Sequence, residues 1–112
     1  DILNLELLDK SLVGSKCSDG SQAGFYYQAP PTTNGQTNYV INMQGGGHCI
    51  TQSSCQQRTH SALGSSKYWK QTMSGGGSYS NSPSENPYFY DAHHIFIPYC
   101  CGDWHIGQIT EP

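Results

Sequence analysis

Five cysteines, Cys17, Cys49, Cys55, Cys100 and Cys101, set the tightest limit on how this chain can fold. Five is odd. At most two bridges close within the chain, and one thiol stands outside them, either joined to a partner or buried and reduced. That many cysteines among 112 residues, of which only 12% are charged, indicate an oxidising compartment. The chain is therefore expected to be secreted and extracellular. It shows no signal peptide, and its opening Asp1-Ile2-Leu3, without Met, reads as a mature end. No Asn-x-Ser/Thr sequon adds to the case.

The length allows one small domain with a modest core, supplied by 35% hydrophobic residues and eight tyrosines. Net charge is −3, and the five Lys and Arg never stand together. A surface that tracks phosphates needs clustered cations, so nucleic acid is excluded as a partner, and a membrane-surface helix with it. No apolar run approaches the roughly 20 residues of a membrane span.

Residues 2–8 predict a short strand. Gly24–Gln28 predicts another, because aromatics suit a pleated surface. Tyr39, Ile41 and Met43 alternate within 38–44 and predict a third. The stretch 48–64 reads as loop. Residues 65–73 predict a short helix capped by Ser65 or Ser66. Residues 74–87 read as a long loop of Gly, Ser, Asn and Pro. Residues 94–99 predict a buried strand that Pro98 closes, and 102–112 a polar tail. Strand, glycine turn, helix and strand in that order suggest the start of a parallel α/β sheet, with too few helices to cover both faces.

Gly45-Gly46-Gly47 directly after the third strand is the strongest chemical signal. Backbone amides can face an oxyanion only where no side chain intrudes and the backbone takes unusual angles; glycine meets both conditions. By itself the triplet reads equally as a tight or flexible turn. It is not a phosphate-binding loop, because no Gly-Lys-Ser/Thr follows.

Six pieces of the sequence, in order, resemble the pectin acetylesterase and Notum-type carboxylesterases, a family of extracellular α/β hydrolases. They are Cys17-Ser18-Asp19-Gly20-Ser21 with Gly24-Phe25-Tyr26-Tyr27; Tyr39 to Cys49; Cys55, Arg58 and Leu63-Gly64-Ser65-Ser66; Asn86-Pro87-x-Phe89-Tyr90; Ile97-Pro98-Tyr99-Cys100; and Gly102-Asp103-x-His105-x-Gly107. The resemblance implies an α/β fold, the N-terminal part of an α/β-hydrolase sheet that is incomplete on its own, with residues 1–112 forming a segment of one domain. It implies disulfides Cys49–Cys55 and Cys17–Cys100, each contributing about 2–4 kcal/mol. Cys101 lies outside both and is the candidate intermolecular thiol. The implied oxyanion donors are the amides of Gly46, Gly47 and His48. Two residues depart from the pattern: Gln44 stands for the usual Glu and His48 for the usual Trp, so the acyl preference does not carry over.

The family acts through Ser, His and Asp, with the serine in a Gly-x-Ser-x-Gly turn. No such turn occurs here; in Gly20-Ser21-Gln22-Ala23-Gly24 the serine comes one place early. The chain is expected to lack esterase activity alone and to need a C-terminal part of the same protein, or another copy joined through Cys101. The expected substrate is an ester-bearing polysaccharide or another acylated molecule, with no cofactor. Asp103 and His105, on the loop after the last strand, are expected to line the substrate pocket. Zinc on His48, Cys49, Cys55 and His60 is disfavoured by loose spacing and competing disulfides. His93 and His94, adjacent in a strand, face opposite ways and read as partly exposed; Tyr68, Trp69, Tyr88, Phe89 and Tyr90 read as packing groups. The rival expectation is a structural or assembly subunit of an extracellular complex or filament that reuses the hydrolase fold.

Overall fold

The computed structural model describes residues 2–9, 16–31 and 38–102. In chain order the elements are strand β1 (Ile2–Leu7), β2 (Gly24–Gln28), β3 (Tyr39–Met43), helix α1 (Gln52–Arg58), a 3-10 turn at Ser66–Tyr68, β4 (Thr72–Ser74), a second 3-10 turn at Gly77–Tyr79, and β5 (His93–Ile97). The strands form one five-stranded sheet in the order β3-β5-β2-β1-β4. This agrees with a partial α/β fold.

β2 and β5 are antiparallel, with Tyr26 opposite Phe96 and Gln28 opposite His94. β1 and β4 are also antiparallel, with Leu3 opposite Met73. At these two of the sheet's four pairings the expected parallel arrangement is corrected to antiparallel. A parallel pair needs a crossover, usually helical, and the described residues hold one α-helix of seven residues.

The contacts divide the chain into two compact units. The first comprises described residues 2–6, 25–31, 38–42 and 70–97. Its interior holds Leu3, Tyr26, Ala92 and His94. The Tyr26 ring lies 6.3 Å from Phe96, and Tyr79 meets Phe96 edge-on at 5.8 Å. The Tyr26 hydroxyl donates to the Lys70 carbonyl at 2.6 Å, giving the phenol a partner. Asn86 is buried and donates through Nδ2 to the carbonyls of Ser78 and Ser80, which orders the Ser- and Gly-rich stretch around them.

His93 and His94 do face opposite ways. His93 stacks on Tyr39 at 4.3 Å and accepts or donates a 2.6 Å bond with the Tyr27 hydroxyl. His94 is fully buried, which corrects its reading as an exposed residue. The packing role expected of the aromatics is corrected for three of the five: Tyr88 is 85% exposed, and Tyr68 and Phe89 are exposed as well, while Trp69 and Tyr90 are partly buried.

The second unit comprises described residues 7–9, 16–24, 43–69 and 98–102. Here disulfides Cys17–Cys100 and Cys49–Cys55 replace much of what an apolar core would do. Tyr99, Cys17, Cys100 and Ser65 are among its buried residues. Helix α1 occupies a stretch read as loop. Its N-cap Thr51 accepts from the Ser54 amide, while Ser54 Oγ accepts from the Thr51 amide. No α1 residue is buried, so no apolar periodicity announced it. The helix expected over 65–73 contracts to the 3-10 turn at 66–68, with Ser65 capping Lys67. Thr72–Ser74 is instead recruited as a strand by β1. The tail reading for 103–112 lies outside the described residues.

Candidate functional site

Residues 45–48 follow β3 as an exposed, irregular loop. Gly46 has φ +148° and Gly47 φ +72°, angles that side-chain-bearing residues rarely adopt. At Gly46 a second constraint applies. A Cβ there would meet Leu63 Cδ2 at 3.0 Å and Tyr99 Cδ2 at 3.1 Å. The loop is held against those side chains closely enough that only glycine fits without displacement.

The loop is secured through its carbonyls. Arg58 Nη2 donates to the Gly46 carbonyl at 2.6 Å, and the Tyr99 hydroxyl donates to the Gly47 carbonyl. Among the described residues, the amides of Gly45, Gly46 and Gly47 donate no backbone hydrogen bond. Just before the glycines, Gln44 Oε1 accepts from the Tyr99 amide at 2.8 Å. Just after them, the Cys49 amide donates to the Gly102 carbonyl at 3.1 Å, and Cys49 is bonded to Cys55 in α1. Arg58 ends that helix, and its guanidinium carbon stands 5.8 Å from the Tyr99 ring centroid. Helix, disulfide, arginine and tyrosine therefore converge on three consecutive glycines.

Of the other expected positions, Asp103 and His105 lie outside the described residues. Cys101 is in neither disulfide and is half-buried. Cys49 and Cys55 are spent on each other, which removes two ligands from the zinc alternative. Ser21 Oγ donates to Asp19 Oδ1 at 2.5 Å and accepts from the Ser66 amide at 2.9 Å, tying the 17–21 turn to the 65–66 turn. Beside it is a shallow hollow of about 390 Å³ whose lining includes Lys16, Gln22 and Lys67, and no residue of the 45–48 loop. The sequence reading missed the roles of Arg58 and Tyr99. The available signal was their place in the motif pieces, since nothing in the local pattern of QSSCQQR or IPYC states which carbonyl each would reach.

The sequence matches the pectinacetylesterase family over residues 1–112. The chain belongs to the pectinacetylesterase family. Within curated relatives it is similar to the palmitoleoyl-protein carboxylesterase NOTUM of Drosophila melanogaster, 40% identical over 86% of this chain and 14% of that protein. It is 38% identical to NOTUM of Homo sapiens over 97% of this chain and 21% of that protein. It is also 34% identical to the inactive palmitoleoyl-protein carboxylesterase notum1b of Danio rerio, over 97% of this chain and 76% of that protein. The chain thus spans 14% to 21% of the fruit-fly and human relatives and about three quarters of the inactive one. As a member of the pectinacetylesterase family, it keeps the triple glycine, the two disulfides and Arg58 in one unit of structure.

Proposed function

We propose that this chain is the oxyanion-binding, N-terminal part of an extracellular carboxylesterase, within a single α/β-hydrolase domain. The observation that carries this reading is the 45–47 loop: exposed, held by its carbonyls, with glycine amides that donate to no backbone acceptor among the described residues. In acyl transfer a nucleophile attacks the ester carbonyl, and its oxygen becomes negative. Fixed amide donors near that oxygen lower the barrier; losing one such donor typically costs about 10²–10³ in kcat. Gly46, Gly47 and His48 supply the candidate amides. The serine, histidine and aspartate that form and break the acyl bond would come from sequence beyond residue 112. Asp103 and His105 would line the pocket.

The family description and the names of the relatives point to an acyl ester, either an O-acetyl group on a polysaccharide or a fatty acyl group on a protein. Two disulfides support an oxidising, extracellular setting, and no described helix is long and apolar enough to cross a membrane. The test is turnover of p-nitrophenyl acetate. The pure 112-residue chain is expected to show none, while a protein that joins it to the rest of the domain hydrolyses the ester. Turnover by the chain alone, or none by the longer protein, contradicts the proposal.

A second reading has one observation in its favour: a relative named as inactive is spanned over 76% of its length. On that reading the chain is a non-catalytic assembly subunit whose Cys101 links it to another copy. A non-reducing gel decides: a covalent dimer that disappears with reductant supports assembly, and a monomer refutes it.

A further inference from the structure

We propose that Arg58 and Tyr99 are positioning residues that aim the amides of Gly47 and His48 at the anionic oxygen. The identity of that oxygen rests on the esterase reading; the aim of the amides does not.

The argument begins with the peptide plane. In a trans peptide the C=O and the following N–H lie in one plane and point in opposite directions. Arg58 Nη2 takes the Gly46 carbonyl at 2.6 Å. The Gly47 N–H, in the same plane, must therefore point away from the guanidinium. The Tyr99 hydroxyl takes the Gly47 carbonyl, so the His48 N–H points away from Tyr99 by the same rule. Two anchors on successive carbonyls determine two successive amides.

The anchors are themselves fixed. Tyr99 is 1% exposed, with its own amide bonded to Gln44 Oε1. Arg58 stacks over the Tyr99 ring from the end of α1, and α1 is tied to the loop by Cys49–Cys55. A planar fork that stacks while donating is a task for arginine more than for lysine.

Charge adds a second effect. A cation bonded to the Gly46 oxygen draws electron density through that peptide and makes the Gly47 N–H a better donor. Arg58 Nη1 is buried and has no hydrogen-bond partner among the described residues.

The test is to measure 1H–15N residual dipolar couplings, which report the direction of each N–H bond, on protein labelled at glycine and histidine. In the wild type, the Gly47 and His48 couplings are expected to fit the same alignment as Gly20 and Gly64, which lie in the same unit. Arg58→Met is expected to abolish most of the Gly47 coupling, and Arg58→Lys, which keeps a donor for the Gly46 carbonyl, to restore the larger part. Tyr99→Phe is expected to act on His48, with Gly20 and Gly64 unchanged throughout. Unchanged Gly47 and His48 couplings, or equal losses in Arg58→Lys and Arg58→Met, would overturn the proposal. The expected couplings together with no ester hydrolysis by a longer protein that joins this chain to the rest of the domain would refute the esterase reading and leave the aim of the amides standing.

Discussion

Gly102 lies so near Cys49 that a Cβ on it would stand 2.6 Å from the Cys49 sulfur. The same glycine has φ +73° and accepts the Cys49 amide at 3.1 Å. Gly102→Ala therefore meets two obstacles, a left-handed backbone and a sulfur already bonded to Cys55. The expected loss is about 1–3 kcal/mol, read as a lower midpoint in urea unfolding of the oxidised protein. An unchanged midpoint would mean that the 49–55 loop is not packed against residue 102.

Thr51 is expected to matter more than its exposure implies. Its hydroxyl and that of Ser54 each accept from the other's backbone amide at 3.1 Å, satisfying two donors that a seven-residue helix leaves open. Thr51→Ala should cost about 1 kcal/mol, and Thr51→Ser only a few tenths. Denaturant unfolding of the pair of variants checks the difference.

His94 Nε2 lies 2.8 Å from the Phe89 carbonyl, which can only accept, so that nitrogen carries the proton. His94→Leu fills much of the same space and removes this bond, leaving the Phe89 carbonyl with the Ala92 amide at 3.2 Å. A loss of about 0.5–1.5 kcal/mol is expected. Thermal unfolding that matches the wild type would show that the His94 bond adds nothing to stability.

Asp19 gives a pH signature. Desolvation raises its pKa, but hydrogen bonds from the Ser21 hydroxyl, from Ser65 and from the Ser21 amide outweigh it, and the net direction is below the ordinary value of 3.8. A carboxyl depressed in the folded state stabilises it above the unfolded pKa, and that contribution disappears as pH falls through the folded pKa. Wild type and Asp19→Asn are expected to differ in stability at about pH 6 and to converge as the pH falls through the lowered pKa of Asp19. A gap that persists in acid would assign the effect to shape rather than charge.

The strands were legible wherever side chains carried the pattern. Gly24–Gln28 was bounded correctly by its aromatics, and Tyr39, Ile41 and Met43 by their alternation. Pro98 marked the end of β5. What escaped was held by other means. Helix α1 has no buried residue and rests on a capping box and a disulfide. β4 is three residues long and exists because β1 offers it a partner. The helix expected at 65–73 failed because Ser65 spends its hydroxyl on Lys67 and the chain turns extended at Trp69, whose indole donates to the Ala62 carbonyl.

The glycine loop was legible as a position and not as a mechanism of support. Three glycines after a strand state that side chains are unwelcome. They do not state that Arg58, twelve residues from Gly46, and Tyr99, fifty-two from Gly47, are the groups that grip it. Contacts of that span belong to the folded chain and leave no local periodicity behind.

A strand end gripped by its oxygens is indifferent to what hangs from the next α-carbon. On the esterase reading proposed above, libraries built at His48 should change acyl preference more readily than rate, because the loop is held through the carbonyls of Gly46 and Gly47.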